Sequence, residues 1–234
     1  MSTLPRPLEG VKVVELATFI AAPSCGRYLA DLGAQVIKVE SPAGDPLRRT
    51  AVNEGRPAGD LENTSFDLDN AGKRAVCLNT KSPEGREALE KLIAQSDIFI
   101  TNVRYKSLVK SGLDYETLKA KYPKLVMGYV TGYGEKGPDK DLPGFDFTAY
   151  FARGGILGTL FDKNAVPMLT MPGFGDHPVG MYLASGLLAA LYRAERTGCG
   201  DMITVSLFHA AIWAVSTMLQ SAQYLNRKMN RVAP

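Results

Sequence analysis

An α/β fold built on a mostly parallel sheet is what this sequence predicts, and three observations predict it. Short runs rich in β-branched residues alternate with longer segments of helical period, the pattern of successive βαβ units. Many of the boundaries between them carry capping residues, with proline where helices begin and glycine where they end. Hydrophobic residues make up 45% of the 234 positions and charged residues 22%, a balance that excludes a disordered, collagen-like or low-complexity chain. That length lies between one large domain and two small ones.

Taken in order, Val11 to Leu16 is the first strand, and the loop from Ala17 to Ala22 leads into a helix. Pro23 suits its first turn, Leu29 and Leu32 share one face, and Gly33 ends it. Val36 to Val39 is the next strand. Pro42 to Asn63 is rich in Gly, Pro, Asp, Glu and Asn with little periodicity, so it reads as a long surface excursion rather than a core element, and long loops are commonly functional. Ala75 to Leu78 forms a third strand, Ser82 caps a helix that has Pro83 at its first position, and Ile98 to Thr101 is a buried fourth strand. A short helix covers Tyr105 to Lys110, Gly112 breaks it, and Asp114 caps another that ends before Pro123. Leu125 to Val130 is the fifth strand. A glycine-rich stretch from Gly132 to Gly144 precedes a long helix from about His177 to Arg196, a strand from Ile203 to Leu207 and a helical segment from Phe208 onward.

The chain carries no acidic residue after Asp201, while Arg227, Lys228 and Arg231 crowd its last positions. Residues 1–207 therefore read as one domain and 208–234 as a helical connector toward something further on, although a frayed terminus explains the basic end equally well.

Composition narrows the chemistry. With 27 basic and 24 acidic side chains the net charge of +3 is too small and too dispersed to indicate nucleic acid as a partner. Cys25, Cys77 and Cys199 are widely spaced, with no paired metal-ligand spacing, so no metal site and a reducing, cytoplasmic compartment are expected. The first ten residues lack the apolar run of a signal peptide, and the apolar stretches at 181–192 and 206–219 fall short of a membrane span. The only histidines, His177 and His209, offer little for a triad or a two-histidine metal site, and His209 on an apolar helix reads as a packed or surface residue. Gly132, Gly134 and Gly137 match the dinucleotide fingerprint after a strand, but Pro138 and Pro143 stand where the motif needs a helix to receive the pyrophosphate, so a turn-rich loop is the better reading.

Asp176 stands out. Gly173 and Gly175 leave the backbone beside it uncrowded, and a long helix begins immediately after it. It reads first as a helix N-cap, and beyond that as a carboxylate held at the positive end of a helix dipole, able to attack an electrophilic carbonyl. The two roles are compatible.

A family resemblance runs through the chain in order: Leu29 to Ala34 leading into Val36 to Glu40, then Gly44 to Arg48, Asn70 to Arg74, Thr101 to Arg104, Ser111 to Tyr115, Gly173 to Asp176, and Arg196 to Asp201. Together these motifs resemble the class III (CaiB/BaiF-type) CoA-transferases, and Tyr133 to Asp146 is similar to the subgroup acting on cinnamoyl-CoA with phenyllactate and on 2-hydroxyisocaproate in amino-acid fermentation.

The resemblance implies a Rossmann-like large domain with a mostly parallel sheet flanked by helices, a smaller second domain, and a homodimer of two chains interlocked as rings. Family members normally run well past this length, so the second domain, and with it a mobile glycine-rich loop, is expected to be missing here. The resemblance implies that the family's nucleophilic aspartate falls on Asp176, that CoA thioesters are substrates, and that there is no prosthetic group. CoA positions carry over onto Ile20 and Ala21, Asn70 and Lys73, Asn102, Val103 and Arg104, and Lys110. Three of these are cations suited to the phosphates of CoA. Ser41 and Gly144 depart from the family pattern, standing where some members place an arginine and a lysine. The related acyl-CoA racemases look similar over the same stretch but need a histidine base where this chain has Phe145, which cannot shuttle a proton. A truncated, catalytically silent CoA-binding or assembly protein is the reading from a different class.

Overall fold

A computed structural model describes residues 4–59, 61–160, 165, 166, 168 and 170–226 of the chain. Six parallel strands form a single sheet: β1 (Lys12–Leu16), β2 (Gln35–Glu40), β3 (Arg74–Cys77), β4 (Ile98–Thr101), β5 (Val126–Thr131) and β6 (Met202–Ser206), in the order β3-β2-β1-β4-β5-β6. This is the doubly wound arrangement in which the chain reverses direction of travel across the sheet between β1 and β4, the place where such sheets commonly bind their ligands. Register aligns Val13 with Val36 on one side and with Ile98 on the other, and Ile98 with Val126.

Alternation along the strands supplies two cores. Val13, Val36, Ile98 and Val126 face α1 (Ala21–Asp31) and a long helix near the end of the chain, whereas Val14, Val39, Phe99 and Met127 belong to the opposite layer. Between β2 and β3 lie a 3-10 turn at Pro46–Arg49, a single-turn helix α2 (Thr50–Asn53) and α3 (Thr64–Asn70). The opposite layer is built from α4 (Pro83–Ile93), α5 (Tyr105–Ser111) and α6 (Tyr115–Lys121), which contribute Leu89, Ile93, Leu108 and Leu118. The long helix is α7 (Asp176–Thr197), followed after β6 by α8 (Leu207–Ala214) and α9 (Ser216–Leu225). Helices α1 and α7 cross closely because Gly180 has no side chain; a Cβ there would overlap Ser24 Oγ and crowd the Ala21 carbonyl.

Several expected boundaries hold for the expected reasons. Ser82 Oγ accepts the Gly85 N–H and Asp114 accepts the Thr117 N–H, so both act as N-caps, and Gly112 ends α5 in the left-handed conformation at φ +69°. The segment from Pro42 to Asn63 is not merely a surface excursion: Leu47 and Ala51 are buried, and Asp45 caps the 3-10 turn by accepting the Leu47 N–H. Its low periodicity reflects turns too short to show one. Residues Asp146–Arg153, unassigned from sequence, form a π-helical segment whose Tyr150 and Phe151 pack into the first core.

The domain boundary expected after Leu207 falls inside packed structure. Leu207, Ala210 and Ala211 are buried in the same core as α1 and α7, so α8 belongs to this body, and Ser206 caps it by accepting the His209 N–H. His209 is an exposed surface residue. The basic residues Arg227, Lys228 and Arg231 lie outside the described residues.

Candidate active site

The loops at the carboxyl ends of β1 and β4 are tied to each other. Thr18 donates its N–H to Asn102 Oδ1 at 3.2 Å, and Asn102 returns its Nδ2 to the Thr18 carbonyl at 2.8 Å. Thr101 Oγ1 donates to the Leu16 carbonyl at 2.8 Å. The Asn102 side chain is thus engaged in holding the β1 loop, which carries Ile20 and leads into α1 at the buried Ala21, against the β4 loop, which carries Val103 and Arg104. Phe19 sits in that loop at φ +63°, an unfavourable conformation for a residue with a side chain, and its N–H is held by Asp45 Oδ1 at 3.1 Å.

Beneath the loop is a buried charge network. Lys38 Nζ pairs with Glu15 Oε1 at 3.0 Å and Asp45 Oδ2 at 2.9 Å, and donates to the Ala17 carbonyl at 2.9 Å. Lys73 Nζ pairs with Glu15 Oε2 at 2.7 Å and donates to the Pro23 carbonyl and to Asn70 Oδ1. Burial alone would lower the Lys38 pKa, but Glu15 and Asp45 together raise it above the ordinary lysine value, whereas burial wins at Lys73 and lowers it. Lys73 and Asn70, expected to contact CoA, are thus engaged by protein partners. All three Lys73 protons are directed to protein partners, its side chain is 2% exposed, and Asn70 spans from Lys73 to the Phe66 carbonyl. A sequence shows a cation before a strand; it does not show that Glu15, 58 positions earlier, turns that cation inward.

Arg104 and Lys110 fare differently. Both are exposed on α5 or at its start, and among the described residues neither has an ion-pair partner, so both remain available to an anion. Lys81, exposed on the loop after β3, is a further cation at the carboxyl edge of the sheet that motif reading passed over and the parallel-sheet rule picks out. Alongside it, Glu40, Ser41, Gly44, Arg48 and Cys77 line an open groove of about 350 Å³ at the ends of β2 and β3. The absence of a lysine at position 144 has a local reason: Gly144 packs backbone to backbone on Gly132, and a Cβ there would overlap the Gly132 Cα. The glycines of the apparent dinucleotide fingerprint lie in turns, Gly134 and Gly137 at positive φ, with no α-helix opening after them.

Asp176 is the first residue of α7, not its cap. Gly175 occupies the N-cap position, and the Asp176 side chain makes no capping hydrogen bond. The Gly175 N–H instead goes to Asp146 Oδ1 at 3.0 Å, and a side chain at 175 would overlap the Tyr150 ring and that same oxygen. Among the described residues no hydrogen bond reaches the Asp176 carboxylate, and its pKa is raised to about 7, by burial first and then by the Asp146 charge, with His177 opposing and Asp69 adding. Asp146, 5% exposed, is raised by burial as well, while the Gly175, Gly173 and Phe174 amides pull it back. Ile20 Cδ1 lies close to the backbone of Gly173, which brings the β1 loop to the start of α7. Phe145 is 52% exposed and meets Phe19 edge to face with ring centroids 5.7 Å apart, so an aromatic surface with no acid or base occupies that position.

A doubly wound parallel sheet with the exposed cations Lys81, Arg104 and Lys110 at its carboxyl edge defines an α/β domain of the class that binds ligands at that edge. More particularly, the chain belongs to CoA-transferase family III, whose profile matches residues 8–233. It is 62% identical over 216 residues to the cinnamoyl-CoA:phenyllactate CoA-transferase of Clostridium sporogenes, covering 92% of this chain and 52% of that protein. It is 52% identical over 219 residues to the (R)-2-hydroxy-4-methylpentanoate CoA-transferase of Clostridioides difficile, covering 94% and 55%. A CAIB/BAIF family protein from Brucella suis has the same fold, with a TM-score of 0.87 and 34% identity over 97% of this chain and 60% of that one. The chain therefore spans about half the length of the curated relatives it matches. Among the described residues no helix is long and apolar enough to cross a membrane.

Proposed function

We propose that this chain is the CoA-binding and nucleophile-bearing part of a CoA-transferase that moves CoA between an acyl-CoA thioester and a free carboxylic acid. The observation that carries the reading is Asp176: a carboxylate with no hydrogen bond among the described residues, at the start of α7 where Gly175 packs against Tyr150 and Asp146 and the β1 loop comes close. A carboxylate that no protein donor holds is a better nucleophile than one held by hydrogen bonds.

Asp176 attacks the donor thioester carbonyl, the C–S bond breaks, and CoA leaves as thiolate from an acyl-aspartyl anhydride. The thiolate then attacks the aspartyl carbonyl, releasing the donor acid as carboxylate and leaving CoA as an aspartyl thioester. The acceptor acid runs the two steps backward. Water has to be kept out, since hydrolysis of either intermediate dissipates the thioester energy. That favours contributions from a second domain and from a partner chain in a homodimer, and residues 1–234 alone are proposed to turn over poorly. Arg104, Lys110 and Lys81 are proposed to face the phosphates, with Ile20, Ala21, Asn102 and Val103 framing the thioester arm.

For substrates, the two named relatives point to acids with an aryl or branched apolar side chain, including 2-hydroxy acids. The edge-to-face pair Phe19 and Phe145 offers such a side chain an apolar surface, and it leaves the histidine-dependent racemase reading without its base. The test is an adduct experiment on the full-length protein: incubation with cinnamoyl-CoA alone is expected to add CoA covalently to the peptide containing Asp176. Asp176→Asn should form no adduct and no product. Exchange by that variant at the parental rate would refute the assignment.

A further inference from the structure

Three carboxylates converge at the start of α7. Asp176 is joined by Asp146 from the π-helical segment and Asp69 from α3, and among the described residues the cationic group acting on it is that of His177, the next residue along α7. The imidazole is fixed on two sides. Its Nε2 lies 3.1 Å from Asp69 Oδ1, whose side chain is 4% exposed, and its Cε1 covers Gly173, where an added Cβ would come within 3.1 Å. A side chain at 173 would therefore force the ring to shift slightly, and Gly173, at φ +81°, already adopts a backbone suited to glycine.

Placed this way, His177 has no other partner among the described side chains than Asp69. Asp69 raises the His177 pKa by hydrogen bond and by charge, and Asp176 and Asp146 act in the same direction against burial. Asp69 thus favours the protonated ring, next to a carboxyl that burial and two like charges push toward its protonated, non-nucleophilic form.

We infer that His177, oriented by Asp69, is a positioning residue whose imidazolium is the counter-charge that keeps the Asp176 carboxylate ionised for attack. This deepens the proposed reading and rests on Asp176 being the nucleophile. No proton needs to leave the histidine in either transfer step; its role is the standing charge, and Asp69 supplies the orientation. The two residues are 108 positions apart, so the pair exists only in the folded chain.

The test is the pH profile of kcat/KM for the full-length transferase and its variants. His177→Gln keeps a donor for Asp69 without the charge, and is expected to move the acidic limb up by about 1 unit, so that its deficit grows roughly tenfold between the plateau and low pH. His177→Lys, which restores a cation, is expected to keep the limb near the parental position. An even loss across the pH range in His177→Gln, or a limb displaced as far in His177→Lys, would mark a merely structural role and overturn the inference. Asp69 is tested separately by NMR titration of the His177 ring: Asp69→Asn should lower its midpoint, and an unchanged midpoint overturns the orienting role. Failure of the underlying reading is seen elsewhere, as activity in Asp176→Asn. An inactive Asp176→Asn together with an unmoved limb in His177→Gln refutes this inference alone.

Discussion

Replacing Lys38 by methionine separates the two tasks of the buried network. Lys38 is 1% exposed, and its ammonium holds two carboxylates with side chains at 0% exposure, Glu15 and Asp45, together with the Ala17 carbonyl. Methionine nearly preserves the apolar stem and removes the charge. Breaking a buried pair by deleting one partner costs about 3 to 5 kcal/mol, because the remaining charge is left desolvated. Here Glu15 keeps Lys73 at 2.7 Å, and Asp45 keeps the Phe19 and Leu47 N–H groups, which places the loss at the lower end, about 3 kcal/mol. For a chain of this size that corresponds to a fall in Tm of roughly 6 to 12 °C. The assay is urea unfolding followed by far-UV circular dichroism, since the single tryptophan, Trp213, is largely exposed and reports poorly on the core. Adding Asp45→Asn to Lys38→Met completes a double-mutant cycle, in which the pair should show a coupling of at least about 1 kcal/mol. A loss below about 1 kcal/mol in Lys38→Met with an unchanged m-value, or strict additivity in the cycle, would refute the assignment of stability to this network.

Two further outcomes follow from the same structure. The Asp176 carboxyl has its folded pKa raised to about 7 from an ordinary 3.8, so its contribution favours folding below pH 3.8 and is lost as pH rises through about 7. Asp176→Asn should therefore be more stable than the parent above pH 7, by about 1 kcal/mol or more, and level with it near pH 3, as measured by thermal melts across pH; a constant difference at all pH values would contradict this. The structure also divides the predicted cations. Arg104→Met should raise the KM for acyl-CoA several-fold and make it less salt-dependent with little change in Tm, while Lys73→Met should lower Tm by roughly 6 °C or more. The opposite division, in steady-state kinetics and melts of the two variants, would restore Lys73 as a ligand for CoA.

Much of this protein is written locally. The βα alternation, the caps at Ser82 and Asp114 and the glycine stop at Gly112 are legible because strand propensity, capping and left-handed termination act over a few neighbouring residues. The family is legible too, because its motifs sit in order along the chain, and Asp176 draws notice from the glycines around it. Local reading fails where a partner comes from far away. Lys73 looks like a surface cation until Glu15 and Pro23 receive it, Asp176 looks like an N-cap until Gly175 takes that place with Asp146 on its N–H, and His177 gains its partner from α3. Charge burial, pKa and the pairing of side chains depend on which elements the sheet brings together. Sequence by itself determined the architecture and the candidate nucleophile; the packing of α3, the π-helical segment and the β1 loop around the start of α7 decided which charges pair within the fold and which gather around Asp176.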